Sequence, residues 1–180
     1  MKIENTERLA LRMMDQNDGD YLFELDQDPE VMKYINGGKT TSREDVKNVF
    51  LPRLKAYTNT DKGWGLWMVT VLETGQYIGW VLVRPMDFFD DEKPTQWENL
   101  ELGWRFKRDS WGKGYGTEAA KAVVDGLKKQ GSATRFSALA EEENAGSINI
   151  MTKLGMTFDK RDLCKDPLGD LEVVYYSMPV

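Results

Sequence analysis

The chain has no histidine and only one cysteine, Cys164. Without histidine, the commonest general base near neutral pH is missing, along with the Ser-His and Cys-His nucleophile pairs and most zinc constellations. Any catalytic base must be a carboxylate, a tyrosine, a lysine or water. A single thiol excludes an intramolecular disulfide and a thiolate metal cluster, so no metal is expected and a cytoplasmic setting fits. Cys164 itself reads as a small buried residue. No apolar run reaches the roughly 18 residues of a membrane span, and the first ten residues lack the layout of a secretory signal, so no membrane partner is expected. A clustered basic face is also lacking. With a formal net charge of -6 and its lysines and arginines scattered among acids, the chain is not expected to bind nucleic acid. A cationic or amine-bearing partner would be attracted instead.

The 180 residues, 41% of them hydrophobic, suffice for one continuous core, and a single domain over 1–180 is expected. Arg8 to Met13 alternates as a first strand. Asp15 or Asn17 is placed to cap a helix carrying Tyr21, Leu22 and Leu25. Pro29 opens a further helical turn with Val31 and Met32, and Ser42 to Asp45 carries a capping signal ahead of Val46, Val49, Phe50 and Leu54, with Pro52 interrupting that segment. Trp64 to Leu72 and Gln76 to Arg84 read as a hairpin turning at Glu73-Thr74-Gly75. After a polar stretch from Pro85 to Gln96, strand composition resumes from Leu100 to Phe106. From Thr117, the residues Ala119, Ala120, Val123, Val124 and Leu127 share one helix face. A strand (Arg135 to Ala140), a helix (Ser147 to Leu154) and two strands (Thr157 to Leu163, Leu171 to Met178) follow. Strand, helix and strand from 100 to 140 imply a right-handed crossover between parallel neighbours. The fold class is therefore α+β: a mostly antiparallel sheet with one parallel pair, flanked by helices.

The segment Trp111-Gly112-Lys113-Gly114-Tyr115-Gly116-Thr117 joins a predicted strand to an amphipathic helix. Glycines permit close backbone approach and positive φ, so successive N–H groups can face one anion while the helix N-terminus adds favourable partial charge. A pyrophosphate suits that description; a bare strand-to-helix turn is the plainer alternative. The dinucleotide fingerprint fails because Thr117 stands where glycine is needed, and the Walker loop fails because Gly114 follows Lys113. About 30 residues further on come Asn144-Ala145-Gly146-Ser147 and Lys153-Leu154-Gly155-Met156, the latter pair of Lys153 and Gly155 reading as a helix end.

Taken in order, Thr6-Glu7-Arg8-Leu9-Ala10-Leu11-Arg12, Asp28-Pro29-Glu30-Val31-Met32, Gly75-Gln76-Tyr77-Ile78-Gly79, Glu101-Leu102-Gly103-Trp104 and the glycine loop resemble the GNAT superfamily of acyl-CoA-dependent N-acetyltransferases. Within it they are most similar to the branch of ribosomal-protein N-terminal acetyltransferases. The resemblance spans nearly the whole chain and implies the GNAT fold, a twisted and mostly antiparallel central sheet. It also implies acetyl-CoA as co-substrate and a primary amine, on a protein N-terminus or a small molecule, as acceptor; a homodimer is common in such proteins. The family's Gln/Arg-x-x-Gly-x-Gly/Ala motif falls on Trp111 to Gly116, with Trp111 at the position usually held by Gln or Arg. The resemblance thus assigns the cofactor pyrophosphate to the amides of Gly112, Lys113, Gly114, Tyr115, Gly116 and Thr117. It assigns the pantetheine arm to Trp104 to Phe106 and to Asn144, with Ser147 contacting the cofactor or capping its helix.

Thioester aminolysis needs a neutral amine, a proton acceptor and donors aimed at the developing oxyanion. Direct attack in a ternary complex is expected, since Cys164 lacks a histidine to activate it. A tyrosine acid used by some members would fall on Met151, which leaves that role unfilled or moved. Glu101 matches a carboxylate frequent in the branch and is the candidate base, with an ion-paired strand residue as the alternative. Glu141 to Glu143 read as a solvated edge or a lure for a cation, and Trp64, Trp67, Trp80, Trp97 and Trp104 as core or groove aromatics. A different class consistent with the missing tyrosine is a silent acyl-CoA-binding module.

Overall fold

The computed structural model describes Met1–Val180. Seven strands form one sheet in the order β1-β2-β3-β4-β5-β7-β6, comprising β1 (Leu9–Met13), β2 (Gly65–Val71), β3 (Tyr77–Met86), β4 (Gln96–Phe106), β5 (Arg135–Ala140), β6 (Thr157–Cys164) and β7 (Leu171–Pro179). Only β4 and β5 run parallel; every other neighbouring pair is antiparallel. The meander, the Gly75 hairpin and the parallel crossover appear where the sequence pattern puts them.

One face of the sheet is covered by α5 (Tyr115–Gln130) and α6 (Ala145–Lys153). Along α5, Ala119, Val123, Val124 and Leu127 are each at most 4% exposed and pack in one cluster with Leu100, Leu102, Val81, Val83 and Phe136; Ala120 is also buried. Burial of each such valine or leucine stabilises by about 1.5–3 kcal/mol. The other face carries α1 (Gly19–Leu25), α2 (Pro29–Asn36), α3 (Arg43–Asp45) and α4 (Leu51–Tyr57), packed on Leu66, Met68 and Tyr77. Between α3 and α4 the backbone widens into a π-helical stretch, Val46–Phe50, just before Pro52. Pro52 lacks the N–H that a continuous helix would use, and the helix loosens ahead of it.

Two expectations shift. Neither Asp15 nor Asn17 caps α1. Asp18 occupies the cap position, but its carboxylate accepts from Arg12 (2.6 and 2.8 Å) and from the Asp15 amide rather than from the helix. A bidentate guanidinium outcompetes a single backbone donor. And β4 begins at Gln96, not Leu100, because a bulge after Pro85 lets Met86 pair with Gln96; Gln96 to Glu98 are all exposed, with Trp97 their single apolar residue, so no buried face marks them as strand.

Candidate functional site

The parallel pairing of β4 and β5 covers only Asn99↔Arg135, Leu100↔Phe136 and Glu101↔Ser137. Past Glu101 the strands part. Leu102 to Phe106 stay paired with β3, and Ala138 to Ala140 with β7, so a V opens between two strands with one partnered edge each. Backbone donors and acceptors facing such a gap need partners, and an extended molecule with its own amides can supply them.

At the open end of the V stands the glycine loop. Gly112 and Gly114 have φ of 72° and 81°, a left-handed conformation that places Gly114 as the N-cap of α5. The first α5 amides, those of Tyr115, Gly116 and Thr117, lie at the helix start and have no intrahelical acceptor. They and the helix dipole form a ready anion site. Gly116 is needed for a different reason: a Cβ there would lie 2.8 Å from Ile150 Cδ1 and 3.3 Å from the Phe106 ring, so α5 sits against α6 and the end of β4 only with glycine. Phe106 is 7% exposed and its carbonyl accepts the Trp111 indole N–H at 2.8 Å. Trp111 therefore braces the loop from below while its ring stays half-exposed. The Lys113 side chain is exposed.

Across the V, Asn144 caps α6, its side-chain oxygen accepting from the Ser147 amide at 3.1 Å. The Ser147 hydroxyl is thereby left free of capping and instead accepts the Trp104 indole N–H at 3.1 Å, bridging the two arms. Met151 is fully buried in the core behind them.

On the sheet face away from α5, Glu101 lies opposite Arg84 of β3, and both of its oxygens accept from that guanidinium, at 2.7 and 3.0 Å. The two side chains are 7% and 17% exposed. Burial alone would lower the Arg84 guanidinium, but the charge and hydrogen bonds of Glu101 outweigh it and hold it protonated. Around the pair stand Tyr57, whose hydroxyl burial pushes well above its ordinary range, and Cys164, raised by burial and by the Glu101 charge. The thiol is thus held away from the reactive thiolate. Tyr175 joins Met86 and Val173 in a small apolar cluster on the same face, with Cys164 packed against it.

Three segments meet over this face. Arg53 of α4 pairs with Asp166 of the β6–β7 turn at 2.6 Å, and its guanidinium lies 3.8 Å from the Phe89 ring centre. Lys165, from the same turn, pairs with Glu92 of the β3–β4 loop. Nearer the glycine loop, Asp26, Glu24 and Asp28 pair with Arg105, Lys107 and Arg108, tying the α1–α2 corner to the end of β4.

A family profile described as "Acetyltransferase (GNAT) domain" matches residues 8–157. The chain belongs to this family. It is 30% identical over 165 residues to an uncharacterised N-acetyltransferase of Bacillus licheniformis, covering 89% of this chain and 84% of that one. Its fold superposes with a TM-score of 0.75 on a GNAT-family acetyltransferase of Bacillus anthracis, at 26% identity and covering 99% and 98% of the two chains. The same TM-score relates it to RimL, a ribosomal L7/L12 alpha-N-protein acetyltransferase in complex with coenzyme A, at 13% identity and 100% and 98% coverage. It is accordingly a GNAT N-acetyltransferase whose acyl donor is acetyl-CoA.

The glycine loop, Trp104 to Phe106, Asn144 and Ser147 gather around the V, Glu101 lies on the other sheet face paired with Arg84, and Trp64, Trp67 and Met151 belong to the core. What sequence reasoning did not single out are the residues that hold them: Arg84 behind Glu101, Arg8 behind the loop, and the Arg53–Asp166 pair. Arg8 stands inside a recognised motif, so a signal existed for it. Arg84, Arg53 and Asp166 have none.

Proposed function

We propose that the protein acetylates the primary amine of a small molecule, rather than the N-terminus of a protein chain, and does so in the cytoplasm by direct attack within a ternary complex. Acetyl-CoA supplies the thioester carbonyl. The pyrophosphate is held by the amides from Gly112 to Thr117 with Lys113 close by, and the pantetheine arm by the open edges of β4 at Trp104 to Phe106 and by Asn144 and Ser147. The carrying observation is that the Arg53–Asp166 and Lys165–Glu92 pairs join α4, the β3–β4 loop and the β6–β7 turn over the acceptor face. A peptide needs an open trough there, whereas a small amine needs only a pocket. The rings of Phe88, Phe89 and Tyr57 pack edge to face beside this face, an apolar surrounding that would suit the body of such a molecule.

Glu101 is the proton acceptor in this reading. Arg84 fixes its orientation through two hydrogen bonds, and a proton leaves the attacking amine nitrogen towards it directly or through water. The test is release of free thiol from acetyl-CoA with a panel of diamines, polyamines, amino sugars and amino acids beside ribosomal-protein N-terminal peptides. Turnover confined to small amines is expected. Turnover on the peptides alone would reverse the assignment.

A further inference from the structure

Arg8 precedes β1, an edge strand separated from β4 by β2 and β3, yet its side chain ends inside the first turn of α5. Its Nη1 donates to the Lys113 carbonyl at 2.9 Å, and its Nε donates to Glu118 Oε2 at 2.7 Å. Its Nη2 lies 2.6 Å from the same oxygen. The guanidinium sits 4.6 Å from the Tyr115 ring centre, and its Nη2 is 3.4 Å from where a Cβ on Gly114 would be. Glu118 Oε1 accepts from the Thr6 hydroxyl at 2.5 Å and the Arg8 amide at 3.1 Å. One residue thus touches the loop, its N-cap glycine and the first turn of the helix together.

Two consequences bear on an anion at that site. A trans peptide points its carbonyl and its N–H in opposite directions. Because Arg8 holds the Lys113 carbonyl, the Gly114 N–H is aimed away from Arg8. The second consequence is electrostatic. Glu118 is an acidic residue in the first turn of α5, where its charge would repel a diphosphate. Burial alone would raise its carboxyl, but hydrogen bonds from Thr6 and Arg8 outweigh burial and hold it below the ordinary range, charged and matched by the guanidinium.

We propose that Arg8 is a positioning residue for acetyl-CoA: it orients the Lys113–Gly114 peptide and neutralises Glu118 so that the loop presents donors, and no carboxylate, to the diphosphate. The inference rests on the loop being the diphosphate site. Its effect is confined to the nucleotide half of the cofactor, which separates it from a general structural role.

The experiment compares wild type, Arg8→Gln, Arg8→Lys and Arg8→Gln/Glu118→Gln by calorimetric titration with CoA. Turnover with acetyl-CoA and with S-acetylpantetheine, which lacks the diphosphate, is measured in parallel. Arg8→Gln is expected to weaken CoA binding and raise the acetyl-CoA KM by about tenfold or more, the scale of a lost charge-assisted hydrogen bond, with kcat at saturation retained. Turnover of S-acetylpantetheine is expected to stay at the wild-type value, and the double variant to recover part of the lost affinity. Arg8→Lys keeps the charge without the forked contacts and falls between, by about threefold; it carries the test if Arg8→Gln does not fold. Wild-type CoA affinity in both single variants would overturn the proposal, as would equal losses with acetyl-CoA and S-acetylpantetheine. If wild type itself bound no CoA, the loop assignment would fail first, an outcome distinct from wild-type binding left untouched by Arg8→Gln.

Discussion

The two sides of the sheet at the V are built from different materials. On the proposed cofactor side, the groups are backbone: left-handed glycines at 112 and 114, the first amides of α5, and strand edges left unpaired beyond Glu101 and Ser137. On the proposed acceptor side the groups are side chains in ion pairs, Glu101 with Arg84, Arg53 with Asp166, Lys165 with Glu92. Backbone recognition tolerates many sequences and suits a ligand shared by a whole family. Side-chain pairs between loops can be exchanged without moving the sheet, which lets one fold serve different amines.

That contrast can be broken at the ion pairs. The largest effect is expected at Glu101 and Arg84, where the two substitutions should differ in kind. Arg84→Met leaves a buried carboxylate without its partner and is expected to cost about 3–5 kcal/mol of stability, read as a lower midpoint in urea. Glu101→Gln keeps one acceptor oxygen but sets an NH2 against the second Arg84 donor and removes the counter-charge, so it is also expected to cost stability, about 3 kcal/mol, while lowering kcat by about 100-fold with CoA affinity unchanged. A wild-type kcat in folded Glu101→Gln would reduce Glu101 to a strand brace. A smaller effect is expected at the loop tie. Arg53→Gln should cost about 1–3 kcal/mol of stability, raise the amine KM several-fold and leave the acetyl-CoA KM alone. A change in the acetyl-CoA KM would show that the two sides are not independent.

The same contrast explains what could be read from the sequence. The glycine loop is legible because its cause is local: three glycines and a helix start within six residues of each other. The strands of the core announce themselves by alternation, as in Val81 and Val83, whereas Gln96 to Glu98 extend β4 beyond the core and lack that signal. The acceptor side is illegible because its partners are distant, with Arg53 and Asp166 113 residues apart and Lys165 and Glu92 73 apart. Nothing in either local sequence selects the other; only the folded sheet brings the two loops over the same face. Asp18 shows the same on a small scale: it takes the cap position that the sequence offered to Asp15 or Asn17, and its carboxylate is held there by Arg12 of β1.

The most direct test is calorimetric titration of acetyl-CoA into wild type and into Gly114→Glu, which adds a carboxylate and a side chain at a left-handed position in the loop. Saturable wild-type binding, weakened by about 100-fold or more in a variant that still unfolds cooperatively, is the predicted result. Equal binding by both proteins would contradict the account, because the diphosphate would then lie somewhere other than on the amides from Gly112 to Thr117.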